Sequence, residues 1–188
     1  MPRSATGRST KPATRGFTLL ELLAVIAVIA VIAGLAVFSL GDGGRDREMN
    51  EHARRLAALM DLARQEVMLG APEVAIAFTR YGYRFQRLSE VRDGVLEWRD
   101  LSGDRALRPR SLMDEGFEFD LSVEGRRVVL ETDPEMPAPN VFFEAGGEVT
   151  PFELTLIDER DSRRSLRLTG EMDGTFTVGR PEGAGWGR

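Results

Sequence analysis

An unbroken run of apolar residues near the N-terminus most constrains what this chain can become. From residue 22 to residue 33 every side chain is Leu, Ala, Val or Ile, and no charge follows until Asp42. At 1.5 Å per residue, a helix over residues 17–38 would be about 33 Å long, enough to cross the hydrocarbon core of a bilayer. Glu21 stands just inside the start of this helix. We therefore predict a membrane-spanning helix over residues 17–40 that carries one carboxylate at its start.

Insertion of this helix is favourable despite the acid. The eleven Leu, Ile, Val and Phe residues between positions 22 and 38 contribute roughly −3 to −7 kcal/mol in total. A central acid costs about 3 kcal/mol, and an acid near a helix end costs less. In a single chain, however, we expect the free-energy cost of placing the Glu21 carboxylate in the membrane to remain.

Charge is distributed unevenly along the chain. Residues 1–16 hold four basic residues and no acid: Arg3, Arg8, Lys11 and Arg15. Removing these four from the 25 basic residues leaves 21 against 30 acids, so the remainder is near −9. The basic arm is expected to stay in the cytoplasm, which sends the rest of the chain across the membrane. A domain this acidic is a poor candidate for binding nucleic acid.

Three processing outcomes are compatible with a basic arm followed by an apolar helix. A secretory signal peptide would be cut after the apolar core, near residues 33–36. A plain signal anchor would stay uncut and would need no acid at its start. The third outcome is cleavage between Gly16 and Phe17, which leaves the helix attached to the mature chain.

The composition argues against catalysis. The chain has no cysteine and a single histidine, His52, which disfavours thiolate chemistry, His- or Cys-based metal sites and a Ser-His triad. We expect His52 to be a solvated side chain. Asp158, Glu159 and Asp161 are expected to form a solvated charged turn and not a calcium site. The sequence therefore predicts no enzyme activity, no cofactor and no metal.

Beyond the apolar run, a hinge and a second helical segment are predicted over residues 41–70. Residues 39–50 contain three glycines, so we expect a hinge or a locally melted segment there. Gly70 is expected to end the helix that follows. Apolar residues recur in that helix at helical spacing and are predicted to pack on a sheet: Leu56, Met60, Ala63 and Val67.

After residue 72 the apolar period becomes two, which indicates strands. About eight short strands separated by turn residues favour an antiparallel β domain over residues 71–179, packed on the helix. The clearest hairpin joins residues 117–123 to residues 127–131 across Glu124-Gly125-Arg126. A second hairpin turn is predicted at Asp173-Gly174, a loop over residues 133–140, and a flexible tail over residues 180–188. The predicted fold class is α+β.

The start of the apolar helix resembles a known processing motif. The segment Gly16-Phe17-Thr18-Leu19-Leu20-Glu21 is similar to the cleavage site of type IV pilins and pseudopilins. The resemblance implies that residues 1–16 are a cytoplasmic leader, removed after Gly16 by prepilin peptidase, and that Phe17 is then N-methylated. It also implies that Glu21 assists packing of the subunit into a filament. The free amino group of Phe17 in a neighbouring chain could pair with that carboxylate and relieve its penalty.

The later sequence narrows this resemblance. Gly82-Tyr83-Arg84-Phe85 and the segment VFFEAGGEVTP over residues 141–151 resemble the minor pseudopilins of type II secretion, in particular the protein H family. The resemblance implies one long N-terminal helix packed on two antiparallel β-sheets. It implies a single-pass inner-membrane protein whose C-terminal domain lies in the periplasm. The implied function is a structural subunit near the tip of the pseudopilus, which supports export of folded proteins across the outer membrane.

The resemblance also implies the partners and leaves one alternative. Expected partners are the other minor pseudopilins, the major pseudopilin, prepilin peptidase and the inner membrane, with no nucleic acid. The alternative is a minor pilin of a type IV pilus or of a DNA-uptake machine, for which a basic run is the best local argument: Arg105, Arg108 and Arg110.

Overall fold

The computed structural model describes residues 19–92, 94–132 and 137–181. The chain divides into two compact units, Met1–Gly44 and Arg45–Arg188. Within the described ranges, one helix, α1 (Leu19–Met68), precedes ten strands. The strands are β1 (Val74–Thr79), β2 (Gly82–Arg92), β3 (Val95–Asp100), β4 (Arg110–Ser111), β5 (Phe117–Val123), β6 (Arg126–Val128), β7 (Val141–Phe143), β8 (Phe152–Asp158), β9 (Asp161–Gly170) and β10 (Phe176–Gly179). The prediction of an α+β fold is confirmed.

The described part of the first unit is helical, and its apolar side chains are exposed as far as Ile32. Residues 19–32 are all exposed, with Leu19 at 84% and Ile29 at 58% of their full accessibility. Among the residues that the structure describes, no helical segment combines the length and the apolar character needed to span a membrane. The predicted span over residues 17–40 begins outside the described ranges and stays a prediction.

The glycine-containing segment at residues 39–50 is helical. The structure assigns α1 without interruption from Leu19 to Met68, so the predicted local melting is not observed. Each glycine inside a helix costs about 1 kcal/mol relative to alanine. A long helix can form despite this cost. A hinge role for this segment stays a prediction. Gly70, with a φ of 95°, follows the end of the helix as expected.

The second unit contains two antiparallel sheets. The first has the order β3-β2-β1-β7, with β4 paired to β2, and the second has the order β10-β9-β8-β5-β6. The sequence predicts about eight strands in this region, and the described residues form ten. Strand β4 is one that the sequence does not predict, and its two residues pair with Gly82 and Tyr83.

The helix stripe packs on both sheets and forms one hydrophobic core. Residues of α1 at helical spacing are all buried: Met49, Ala53, Leu56, Met60, Ala63 and Val67. They share one cluster with inward side chains of the first sheet, such as Ile76 and Phe85, and of the second, such as Leu121 and Leu154. The predicted packing of the stripe on a sheet is confirmed.

The predicted hairpins are present, with adjusted ends. Glu124 and Gly125 both have positive φ, 49° and 75°, as a two-residue hairpin turn requires, and strand β6 ends at Val128. The connection between β9 and β10 is a five-residue loop, which is longer than a two-residue turn. Within this loop the Gly174 N–H donates to the Glu171 carbonyl.

Candidate functional site

The residues predicted to direct processing and assembly lie at the N-terminal end of the chain. Gly16 and Phe17 lie outside the described residues. Glu21 lies in the first turn of α1, and its side chain is exposed. The roles of these three residues therefore stay predictions.

The second unit holds a charged cluster centred on Arg45. Its guanidinium binds Asp158 side-on, with Nε 3.1 Å from Oδ2 and Nη2 2.9 Å from Oδ1. Nη1 donates to Oε2 of Glu48 at 3.0 Å and to the carbonyl of Glu115 at 2.8 Å. The guanidinium carbon lies 4.0 Å from the centre of the Phe117 ring. Each nitrogen of the guanidinium thus has an acceptor, and the flat face covers an aromatic ring, an arrangement that arginine can make and lysine cannot.

Asp158 is the buried partner of this arginine, and the prediction of a solvated turn is wrong for it. Its side chain is 2% exposed, whereas the Arg45 side chain is 16% exposed. Hydrogen bonds from Arg45, and after them the backbone N–H of Arg160, hold the pKa of Asp158 below its ordinary value. The same pairing raises the pKa of Arg45. Both groups are therefore charged in the folded protein.

His52 is also part of the packed structure, and the prediction of a solvated side chain is wrong. Its Nε2 lies 2.8 Å from Oε2 of Glu115, and its side chain is 12% exposed. The imidazole packs edge-on against Phe117, with 5.6 Å between ring centres. Burial lowers the pKa of His52 and outweighs the opposing attraction of Glu115. The neutral ring is therefore preferred, and the Glu115 Oε2 that it faces has no hydrogen-bond partner among the described residues.

One sequence signal could have identified Asp158. Strand β8 alternates, and its buried side chains fall at every second position: Phe152, Leu154, Leu156 and Asp158. The acid therefore continues the inward face of an apolar strand, where an unpaired carboxylate would be costly. Its partner could not be read from the sequence, because Arg45 is 113 residues away.

The cluster is a structural lock between the helix and the second sheet. Arg45 joins the α1 segment of the second unit to the end of β8 and to the turn before β5. Across the described ranges, no group of three His, Cys, Asp or Glu side chains is arranged to hold a metal ion. The cluster holds α1 against the second sheet at two points, the end of β8 and the turn before β5.

A helix packed on two antiparallel sheets is a pilin-like fold. Two family models match the chain. The prokaryotic N-terminal methylation motif matches residues 11–37, and the type II transport protein GspH model matches residues 52–174. The chain belongs to the type II transport protein GspH family.

Relatives of the chain agree with this assignment. Type II secretion system protein H of Pseudomonas aeruginosa is 30% identical over 166 residues, which cover 85% of this chain and 92% of the relative. Type II secretion system protein H of Aeromonas hydrophila is 32% identical over 165 residues, which cover 81% of this chain and 85% of the relative. The resemblance to the protein H family is confirmed.

Solved structures share the fold. The minor pseudopilin EpsH of Vibrio cholerae superposes with a TM-score of 0.55 at 21% identity, covering 72% of this chain and 98% of that one. The solution structure of Escherichia coli GspH gives a TM-score of 0.52 at 19% identity, covering 74% of this chain and 92% of that one. The pilin-like arrangement of helix and sheets is therefore shared.

Proposed function

We propose that the chain is a minor pseudopilin, a structural subunit near the tip of the periplasmic pseudopilus of a type II secretion system. In this role it supports the export of folded proteins and catalyses nothing. The observation that carries the proposal is the match to the methylation motif, which leads directly into a helix with exposed apolar side chains over residues 19–32. Such a surface needs a cover from outside the chain. A bilayer before assembly and neighbouring subunits after assembly would supply it.

The N-terminus would be processed before assembly. Prepilin peptidase would cut after Gly16 and methylate Phe17, and residues 1–16 would stay in the cytoplasm. The mature chain would be anchored in the inner membrane by residues 17–40, with residues 41–188 in the periplasm. The other minor pseudopilins and the major pseudopilin would be its partners.

Glu21 would set the position of the subunit in the filament. A carboxylate among apolar side chains is unfavourable unless an opposite charge or a donor meets it. The α-amino group of Phe17 in a neighbouring subunit would supply that charge. Assembly would then relieve a penalty that insertion alone leaves in place.

The test compares Glu21→Ala with Glu21→Asp in cells with an active type II secretion system. We expect Glu21→Ala to be inserted and processed, with a mature N-terminus at Phe17 by mass spectrometry, yet to be absent from sheared filaments and to fail in secretion. Glu21→Asp keeps the charge and should retain partial assembly. An intact Met1 in the wild type, or normal incorporation of Glu21→Ala, would contradict the proposal.

A further inference from the structure

An arginine-walled groove lies between α1 and the segment that leads into β4. Its volume is about 460 Å³. Side chains that face it include Arg55 and Leu59 from α1, Tyr83 from β2, and Arg108, Arg110 and Glu115 from the segment around β4. Two arginines of the basic run that the sequence singled out, Arg108 and Arg110, thus line one wall, and Arg55 of the helix lines the other.

This groove holds more positive charge than its own residues neutralise. Arg55 and Arg108 are exposed, and within the described ranges neither forms an ion pair. Arg110 Nη2 lies 3.4 Å from Glu115 Oε1, a long contact, while Glu115 Oε2 faces His52 at 2.8 Å. Arg110 Nε is buried and has no hydrogen-bond partner among the described residues. The groove therefore presents three guanidinium groups, from Arg55, Arg108 and Arg110, against one carboxylate, from Glu115.

Other arginines of the second unit show what these groups lack. Arg84 binds Asp100 at 2.7 Å, and Arg87 binds Glu66 at 2.9 Å. Guanidinium groups form their strongest contacts with carboxylates and phosphates, through paired N–H donors. Arg55 and Arg108 have the donors but no ion-paired carboxylate within the described ranges, so an anionic ligand fits them.

The lining favours a polypeptide carboxylate over a nucleic acid. Leu59 and Pro109 add apolar surface beside the arginines, which suits a peptide with both acidic and apolar side chains. A nucleic acid is held by a series of phosphate contacts along its backbone, and this groove offers three arginines.

We propose that this groove binds a glutamate- or aspartate-rich segment of another filament subunit. The inference rests on the proposed function as a pseudopilin. Two acidic surfaces repel each other in most orientations, and a local positive groove selects one orientation. Arg55 and Arg108 hold carboxylates at the groove opening, and Arg110 adds positive charge behind them.

Binding of a labelled glutamate-rich peptide to the purified full chain in detergent tests the site directly. We expect the double variant Arg55→Ala/Arg108→Ala to bind the peptide about five-fold more weakly at low salt, and added salt to weaken wild-type binding. The matched control is Arg99→Ala/Arg126→Ala, which removes two exposed arginines that also lack ion pairs in the described ranges. It should bind as the wild type does.

Three results of this titration would overturn the proposal. The first is the absence of wild-type binding, and the second is equal weakening in both double variants, which would indicate general charge attraction. The third is tighter binding of a single-stranded oligonucleotide than of the peptide, which would assign the groove to nucleic acid. Unfolding curves of all variants should coincide, since the replaced side chains are exposed.

A second experiment in cells separates this site from the proposed function. Arg55→Glu/Arg108→Glu should be processed to Phe17 like the wild type but should fail to co-purify with the other pseudopilins. A wild-type chain that keeps its leader would refute the pseudopilin function itself. A processed double variant that captures the same subunits as the wild type would refute the groove alone.

Discussion

The two units of this chain treat their apolar side chains in opposite ways. In the first unit, Leu22, Ile26 and Ile29 are 54–58% exposed. In the second unit, Leu56, Phe85 and Leu121 are at most 2% exposed. Leu and Ile occur in both regions, so the kind of side chain alone does not explain the difference in exposure. The second unit buries these side chains against its own strands, whereas residues 19–32 leave theirs exposed.

This contrast separates folding from assembly. Burial of apolar surface is the dominant favourable term of folding, at about 25 cal/mol per Å². The second unit gains this energy within the chain and should be stable without a partner. In the proposed function, the first unit would gain it from a bilayer or from other subunits, so changes there should affect localisation and assembly and leave the stability of the second unit unchanged.

The largest effect should come from one substitution made in both units. Leu121→Ala removes a core side chain that is 1% exposed and should lower the free energy of unfolding by about 2–5 kcal/mol, because it leaves a cavity. Leu23→Ala makes the same chemical change at a side chain that is 65% exposed, and it should leave unfolding unchanged. Chemical denaturation of the full chain in detergent, followed by near-ultraviolet circular dichroism, measures both. Equal losses would mean that the two units do not differ as described.

The next effect should appear in the first unit alone. Ile26→Asp places a charge near the middle of the predicted span, at a cost of roughly 2.5–3.5 kcal/mol for insertion. We expect the chain to be largely lost from the membrane fraction, while the unfolding midpoint of the second unit stays at the wild-type value. Ile26→Val is the matched control and should fractionate as the wild type does. Unchanged membrane recovery of Ile26→Asp would argue against an anchor over residues 17–40.

The parts of the fold that follow local rules could be predicted from the sequence. The helical stripe with Leu56 and Met60 and the turn at Glu124-Gly125 depend on spacing and on backbone preference within a few residues. Strand β4 has no such local signal. Arg110 and Ser111 are assigned to a strand because they pair with Gly82 and Tyr83 of β2. The uninterrupted helix across residues 39–50 was missed because glycine propensity is a weak prior that neighbouring helical turns override.

The charged lock could be predicted only in part. Alternation in β8 places Asp158 on the buried face, but burial of a carboxylate depends on a partner that is distant in sequence. His52 lies beside Phe117 for the same reason, through contacts between α1 and β5. The roles of Gly16, Phe17 and Glu21 were predicted from a motif that acts through other proteins. The fold of one chain therefore does not determine these roles.

Within the second unit, the lock formed by Arg45 and Asp158 should contribute less to the free energy of unfolding than a core side chain does, but more than an exposed ion pair does. Asp158→Asn leaves the partly buried Arg45 without its carboxylate and should cost about 1–3 kcal/mol, because a buried donor set loses a charged acceptor. Asp120→Asn removes a pair with Arg127, which is 78% exposed, and should change stability by no more than about 0.5 kcal/mol. Denaturation curves of the two variants measure the difference. A cost for Asp120→Asn equal to that of Asp158→Asn would show that the lock is only another surface contact.

Acid titration sharpens the same comparison. The pKa of Asp158 is lower in the folded chain than its ordinary value of 3.8. Its contribution to stability is therefore present above pH 3.8 and is lost as the pH falls through the folded pKa. Asp158→Asn should flatten this acid limb, and Asp120→Asn should leave it in place.

The smallest effect should be a pH dependence from His52. Burial lowers its pKa below 6.5, the value expected in the unfolded chain, against the attraction of Glu115, Glu48 and Glu51 and with the help of Arg110. A lowered pKa means that the unfolded chain binds the proton more readily. The contribution is then complete above pH 6.5, and the free energy of unfolding decreases as the pH falls from 6.5 towards the folded pKa. His52→Gln should remove this slope.

The composition supplies the control for this measurement. The chain has a single histidine, so no second imidazole can produce a slope in the same pH range. A slope of opposite sign, with stability increasing as the pH falls below 6.5, would mean that attraction by Glu115 outweighs burial. His52 would then be a charged partner of Glu115 in an ion-pair network with Arg110. The sign of this small effect therefore decides whether the edge of the core beside Phe117 behaves as buried interior or as charged surface.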